Sequence, residues 1–147
     1  MATIQWFPGH MSKARRQVQE NLKFVDFVTV LVDARLPLSS QNPMLTKIVG
    51  DKPKLMILNK VDLADPVATK EWQDYFESQG IKTLAINSKE QSTVKKVTDA
   101  AKSLMADKIA RQKERGIQIE TLRTMIIGIP NAGKSTLMSR LAGKKIA

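Results

Sequence analysis

At 147 residues, 42 % hydrophobic and 26 % charged, the chain has the length and composition of one globular domain rather than of a disordered segment. It has no cysteine, which excludes disulfides and thiolate metal sites, and no apolar run near the roughly 18 residues that a membrane-spanning helix needs. A formal net charge of +10, with a pI of about 10.0, favours polyanionic partners, of which nucleic acid is the commonest in a cytosol.

The opening residues, through Trp6 and Phe7, lack the basic-then-apolar layout of a secretory signal, so the cytoplasm is the expected compartment. Met11, Ala14, Val18 and Leu22 then recur at helical spacing, with Lys13 and Arg16 off the stripe. Residues 27–32 form a continuous β-branched run, the pattern of a strand buried on both faces, and residues 55–58 form a second. Asp65-Pro66 reads as a helix start, with Asp at the N-cap and Pro in the first turn. Ala68, Trp72 and Phe76 continue that helix at i, i+4 spacing, and Gly80 stops it. Residues 83–86 are a weaker third strand. A longer helix is expected from Thr93 through Val94, Val97, Ala101, Leu104 and Ile109 to about Gly116. Residues 124–127 form a fourth strand, and a last helix runs from about Lys134 through Leu137 and Leu141.

Strands alternating with helices predict an α/β fold with a parallel sheet and right-handed crossovers. Ligands of such sheets sit at the carboxyl ends of the strands. Asp33, Asn59, Ser88 and Gly128 each follow a predicted strand, so all four are expected along one edge.

Two motifs carry the chemistry. Residues 128–135 have the form G-x-x-x-x-G-K-[ST], a loop whose backbone N–H groups wrap a phosphate at a helix N-terminus. Gly128 and Gly133 supply the backbone freedom. Lys134 is expected to reach the β- and γ-phosphates, and the Ser135 hydroxyl to bind Mg²⁺. Asn59-Lys60-Val61-Asp62 has the form N-K-x-D. The Asp62 carboxylate can accept two hydrogen bonds from guanine N1–H and the exocyclic amine. Adenine lacks the N1–H and would leave it unpaired, at a cost of about 1–3 kcal/mol. Asn59 can tie this loop to the phosphate loop, and the Lys60 stem can lie along the base. The bland readings are a glycine turn for the first motif and a simple turn-forming Asp62 for the second. A Ras-like GTPase has its phosphate loop first and N-K-x-D later; here the order is inverted.

Asn87-Ser88-Lys89 follows the third strand, where a Ras-like GTPase has its last base-contacting loop, so Ser88 is a candidate to support the guanine carbonyl. The order N-K-x-D, Ser loop, P-loop resembles that of the circularly permuted GTPases. The opening Trp6-Phe7-Pro8-Gly9-His10-Met11, the segment Asp33-Ala34-Arg35-Leu36-Pro37 and the loop Gly-Ile-Pro-Asn-Ala-Gly-Lys-Ser-Thr resemble one branch, the bacterial ribosome biogenesis GTPase A proteins. The resemblance implies a three-layer P-loop (Ras-like) GTPase fold with permuted motif order. It implies binding of GTP and GDP with Mg²⁺, and action on the precursor of the large ribosomal subunit and its rRNA, by a protein expected to be a monomer without a membrane span. It implies a nucleotide site of Asn59, Lys60, Asp62, Ser88, Gly128, Pro130, Asn131, Ala132, Gly133, Lys134, Ser135 and Thr136. It implies that His10 helps position the attacking water, against the alternative of a surface or helix-start histidine. It implies K⁺ beside the phosphates with Asn131 as ligand, against that of a turn-favouring residue.

The family pattern continues with a switch threonine, D-x-x-G and a helical RNA-contacting domain, none of which occurs in residues 1–147. The chain is therefore expected to be the N-terminal part of such a protein, incomplete at the C-terminus, of reduced stability and nearly inactive in hydrolysis alone. Two further readings stay open. One is a non-catalytic RNA- or ribosome-binding module with a vestigial nucleotide site. The other, an ATP-dependent enzyme, is disfavoured by Asp62. The basic clusters Lys13, Arg15, Arg16 and Lys108, Arg111, Lys113, Arg115 would contact RNA, or would simply be solvated helix faces.

Overall fold

The structure, a computed structural model, describes residues 3–9, 20, 22–35, 37, 52–87, 90–117, 121–128, 137 and 141. Five strands form one sheet: β1 (Thr3–Gly9), β2 (Phe27–Asp33), β3 (Lys54–Asn59), β4 (Lys82–Ala85) and β5 (Thr121–Gly128). Their spatial order is β1-β5-β2-β3-β4, and every neighbouring pair is parallel. A parallel neighbour can be reached only by a crossover, and α1 (Pro66–Ser78), α2 (Thr93–Leu104) and α3 (Ala106–Glu114) supply the described ones.

The inner strands are apolar on both faces, so each face needs a cover. Phe27, Leu31, Leu55, Ile57, Leu122 and Ile126 form a core with Val97, Ala101 and Met105, joined by the helical residues Leu137 and Leu141. On the opposite face Val32, Met56 and Leu58 pack with Phe76 of α1, and Val28, Met125 and Ile127 pack with Leu22 and Val25. The result is the expected three-layer α/β arrangement. Of the expected first helix, only Glu20 and Leu22 lie among the described residues, and both are helical.

Local chemistry sets the helix ends. Asp65 caps α1: its Oδ1 accepts from the Val67 N–H at 3.0 Å, and Pro66 opens the first turn. At the other end Gly80 takes φ 82°, which lets Ile81 N–H return to Phe76 O (3.1 Å) and Gly80 N–H to Glu77 O (3.0 Å). Gly116, at φ 78°, ends α3 in the same way, with Ile117 N–H bonded to Gln112 O at 2.9 Å.

Two expectations change. The single helix from Thr93 to Gly116 is two helices, broken at Met105, whose φ −98° and ψ 9° depart from helical values. Val97, Ala101, Met105 and Ile109 recur every four residues, and a straight helix of 3.6 residues per turn rotates such a row by about 40° at each step. The break offsets that drift, so Met105 is buried and Ile109 still packs on the core. The second change is β1, which no periodicity announced. It is an edge strand, bonded only to β5, and an edge position tolerates Pro8, which has no N–H to give a ladder.

One polar contact crosses the core. Thr29 Oγ1 of β2 and Thr124 Oγ1 of β5 are 2.9 Å apart, and both residues are fully buried. Thr29→Val should cost about 1–3 kcal/mol in urea unfolding, because the Thr124 hydroxyl is left without a partner, whereas the Thr29→Val/Thr124→Val double variant should recover most of that stability. A double variant as unstable as the sum of the two single effects would show that the hydroxyl pair is not the stabilising contact.

Candidate functional site

Parallel pairing brings the carboxyl ends of the strands to one edge. Asp33 is in register with Asn59, Leu31 with Gly128, Leu58 with Ala85, and Gly9 with Ile127. β2 separates β3 from β5, so Asn59 and Gly128 end strands two steps apart, about 10 Å across the sheet. Of the four residues expected along one edge, Asp33, Asn59 and Gly128 stand there at the ends of β2, β3 and β5, and Lys60 and Asp62 follow Asn59. His10, Ser88, Pro130, Asn131, Ala132, Gly133, Lys134, Ser135 and Thr136 lie outside the described residues.

The N-K-x-D segment is built on β3. Asn59 is 1 % exposed, and its carbonyl accepts from the Ala34 N–H at 2.7 Å, which ties the ends of β2 and β3 together. The chain then turns at Lys60, which has φ 62° and ψ 36°, the one non-glycine residue at positive φ among the described residues. That conformation costs a residue with a Cβ about 1–2 kcal/mol. The surroundings impose it: Val61 N–H bonds to Ile86 O (3.1 Å) and Leu63 N–H to Lys60 O (2.9 Å). A one-turn 3₁₀ helix, Val61–Leu63, follows, and it leaves Asp62 exposed to solvent rather than folded into the core. An exposed carboxylate on a rigid turn is available to an incoming ligand.

The loop after β4 is anchored at both ends. Ile86 N–H bonds to Leu58 O at 2.8 Å, and Asn87 O accepts from Thr93 Oγ1 at 2.7 Å and from Glu90 N–H at 3.0 Å. Asn87 is therefore held between the end of β4 and the first turn of α2.

A charged cluster stands at the end of β2, on the side of the β3 turn away from β4. Asp33 Oδ1 accepts from the Arg35 backbone N–H (2.9 Å) and Nε (3.0 Å), and Oδ2 accepts from Arg35 Nη2 at 2.7 Å. Lys60 Nζ lies 3.7 Å from the same Oδ2. The side chain of Asp33 is 15 % exposed and that of Arg35 47 %. The Arg35 side-chain hydrogen bond holds the Asp33 carboxyl below its ordinary range, against the opposing effect of burial, with Lys60 adding to the lowering. The Arg35 guanidinium is correspondingly pushed up by Asp33. From the sequence Arg35 reads as a loop-shaping residue, with nothing to mark that it shares Asp33 with Lys60. The Asp-x-Arg spacing, which permits an Asp carboxylate to accept from the N–H two residues on, is the available signal.

Among the described residues no three His, Cys, Asp or Glu side chains group as metal ligands. Mg²⁺ at a nucleotide needs no such group, because it takes one or two protein oxygens and fills its octahedron with phosphate and water. Nor is any helix among the described residues long and apolar enough to cross a membrane.

Comparison with known proteins bears on this edge. A family model described as 50S ribosome-binding GTPase matches residues 123–147. The Ribosome biogenesis GTPase A of Bacillus pumilus (strain SAFR-032) is 54 % identical over 145 residues, 99 % of this chain and 51 % of that protein. That of Priestia megaterium (strain DSM 319 / IMG 1521) is 53 % identical over 146 residues, 99 % of this chain and 51 % of the relative. The crystal structure of GNP-bound YlqF from T. maritima superposes with a TM-score of 0.62 at 30 % identity, covering 90 % of this chain and 49 % of that one. The chain spans about half the length of the curated relatives it matches. It is a homologue of the ribosome biogenesis GTPase A proteins along essentially its whole length, and it has the P-loop GTPase fold with the motif order permuted.

The Asp33 cluster makes a testable claim about acid stability. A carboxyl held below its ordinary value stabilises the fold above about pH 4, the unfolded carboxyl value, and that contribution disappears as pH falls through the folded value. The stability difference between the native chain and Asp33→Asn, measured by denaturant unfolding, should be constant above about pH 5 and shrink below about pH 4. A difference that persists unchanged to about pH 2 would mean that the Asp33 charge does not hold this loop.

Proposed function

We propose that residues 1–147 form the nucleotide-recognising part of a circularly permuted GTPase domain, acting in the assembly of the large ribosomal subunit. The observation that carries this reading is the meeting of Asn59 and Gly128 at one edge, with β2 alone between their strands. A nucleotide laid across that gap can reach the base-reading turn with one end and the loop after β5 with the other. Residues 123–147, which contain that loop, are the stretch matched by the family described as 50S ribosome-binding GTPase.

In this reading Asp62 accepts two hydrogen bonds from guanine, the Lys60 stem lies along the base, Asn59 holds the turn in place, and Ser88 supports the guanine carbonyl. The loop of Gly128, Pro130, Asn131, Ala132, Gly133, Lys134, Ser135 and Thr136 wraps the phosphates, with Lys134 on the β- and γ-phosphates. Ser135 would hold Mg²⁺ and Asn131 would hold K⁺. Bound there, the ions neutralise charge developing on the phosphates. His10 follows the last residue of β1, and β1 pairs with the strand that leads into the phosphate loop. From there it would position the attacking water.

The relatives named Ribosome biogenesis GTPase A support action on GTP in ribosome assembly, and the family described as 50S ribosome-binding GTPase supports the large subunit as its place; the subunit precursor and its rRNA as partners are part of the proposal. A cytoplasmic setting follows from that role. The nucleotide turns over when the switch threonine and D-x-x-G of the whole protein are present; residues 1–147 supply recognition.

Asp62→Asn should weaken GTP binding at least about ten-fold and shift preference toward xanthosine nucleotides, which offer an acceptor where guanine offers an amine. An unchanged base preference in the same titration removes Asp62 from the site. In the full-length protein, His10→Ala should slow ribosome-stimulated hydrolysis, and turnover should be faster in K⁺ than in Na⁺. Unaltered hydrolysis would assign His10 a structural place, and equal rates in the two salts would remove the Asn131 ion site.

A further inference from the structure

The excess positive charge is not spread evenly over the fold. At the carboxyl edge Arg35 and Lys60 are turned onto Asp33. At the amino edge the cations point elsewhere. Asp26, the residue before β2, accepts from Lys108 Nζ of α3 at 2.7 Å and from the Arg123 backbone N–H at 2.8 Å. This clamp fixes the first turn of α3 over the starts of β2 and β5. Lys108, Arg111 and Arg115 fall on one side of that helix turn by turn, and the last two are exposed.

Register extends the surface across the sheet. Thr124, next to Arg123, is level with Phe27; Val28 is level with Lys54, and Leu55 with Lys82. Basic residues therefore start β3 and β4, on adjacent strands about 5 Å apart, and Arg123 stands near the start of β5, on the far side of β2 from β3. Among the described residues Lys23, Lys82, Arg111, Lys113, Arg115 and Arg123 form no ion pair, and Asp26, the acid at their centre, is already taken by Lys108. Phe24, two residues before Asp26, is 68 % exposed. It is the most exposed of the large apolar side chains described, and a cation, Lys23, precedes it.

We infer that this amino edge, on the side of the sheet opposite the nucleotide, is an RNA-binding surface, with Arg111, Arg115 and Arg123 on phosphates and Phe24 stacked on an unpaired base. Unpaired cations attract any polyanion, but an exposed aromatic that follows Lys23 and precedes the Asp26 clamp matches a nucleic acid with splayed bases rather than an acidic polypeptide. Because the two edges are separate, nucleotide and RNA bind together. The identification of the polyanion as RNA rests on the ribosomal reading above; the location of the surface rests on the charge geometry alone.

The test uses the full chain with a short labelled single-stranded RNA, a duplex of the same sequence, and GDP as separate probes. Arg111→Ala/Arg115→Ala should weaken both RNAs and flatten the dependence of log affinity on log salt for the single strand by about 0.7 for each phosphate that is no longer neutralised. Phe24→Ala should weaken the single strand about five-fold or more and leave the duplex nearly unchanged. GDP affinity should match the native chain in both variants, which also reports that they fold. As a control for charge, Lys70→Ala/Lys95→Ala, which removes two cations paired on exposed helix faces, should leave RNA affinity within about two-fold. RNA binding that is unaltered in both test variants overturns the proposal, as does competition by polyglutamate as effective as by RNA. RNA binding weakened in this pattern but with no GDP binding would sustain this surface and sink the nucleotide reading instead.

Discussion

Every hydrogen-bonded strand pair in this sheet is parallel, and that constraint organises the rest. A parallel strand cannot follow its neighbour by a tight turn, so the chain must cross back over a face before each new strand. All strands then leave the sheet at the same edge, whatever their order along the sequence. The ends of β3 and β5 come to the same edge because of that rule, although they lie far apart along the chain. The inverted order of the two motifs is thus no obstacle to one site. Permutation changes which connection is made first and leaves the edge unchanged.

The same rule divides the molecule by charge and by role. Residues that follow strands gather at the carboxyl edge, where Asp33, Arg35 and Lys60 hold one another and the strained Lys60 turn is fixed by bonds to β2 and to the residue after β4. Residues that precede strands gather at the amino edge, where Lys108 occupies Asp26 and, among the described residues, Lys82, Arg111, Arg115 and Arg123 form no ion pair. Among the described residues the left-handed non-glycine turn lies at the first edge and these unpaired cations lie at the second. A protein that must hold a small nucleotide and a large polyanion at once is served by that division.

Much of this is legible in the sequence because it is written in local chemistry. The continuous apolar runs of β2, β3 and β5 can only be strands covered on both faces, and Asp65-Pro66 and Gly80 mark the limits of α1 by capping and backbone geometry. What escapes a reading of the sequence depends on contacts between distant residues. β1 carries a proline and no apolar run, and is a strand only because β5 offers it an unpaired edge. The break at Met105 answers to the position of the sheet, which no local propensity encodes. Asp33 announces its turn with Arg35 but not its ion pair with Lys60, because that contact joins the ends of two different strands. Asn59 and Asp62 are legible as a pair; that the first is buried and the second exposed is a property of the turn at Lys60.

The central claim is that one edge of the sheet receives a guanine nucleotide. Amide chemical shifts followed while GDP and Mg²⁺ are added to the labelled chain test it most directly. The account predicts saturable changes at Asp33 to Arg35, Asn59 to Leu63, Asn87 and Gly128, with the amino-edge amides of Lys54, Lys82 and Arg123 unmoved. Changes centred on the amino edge, or equal changes when ADP replaces GDP, would contradict it.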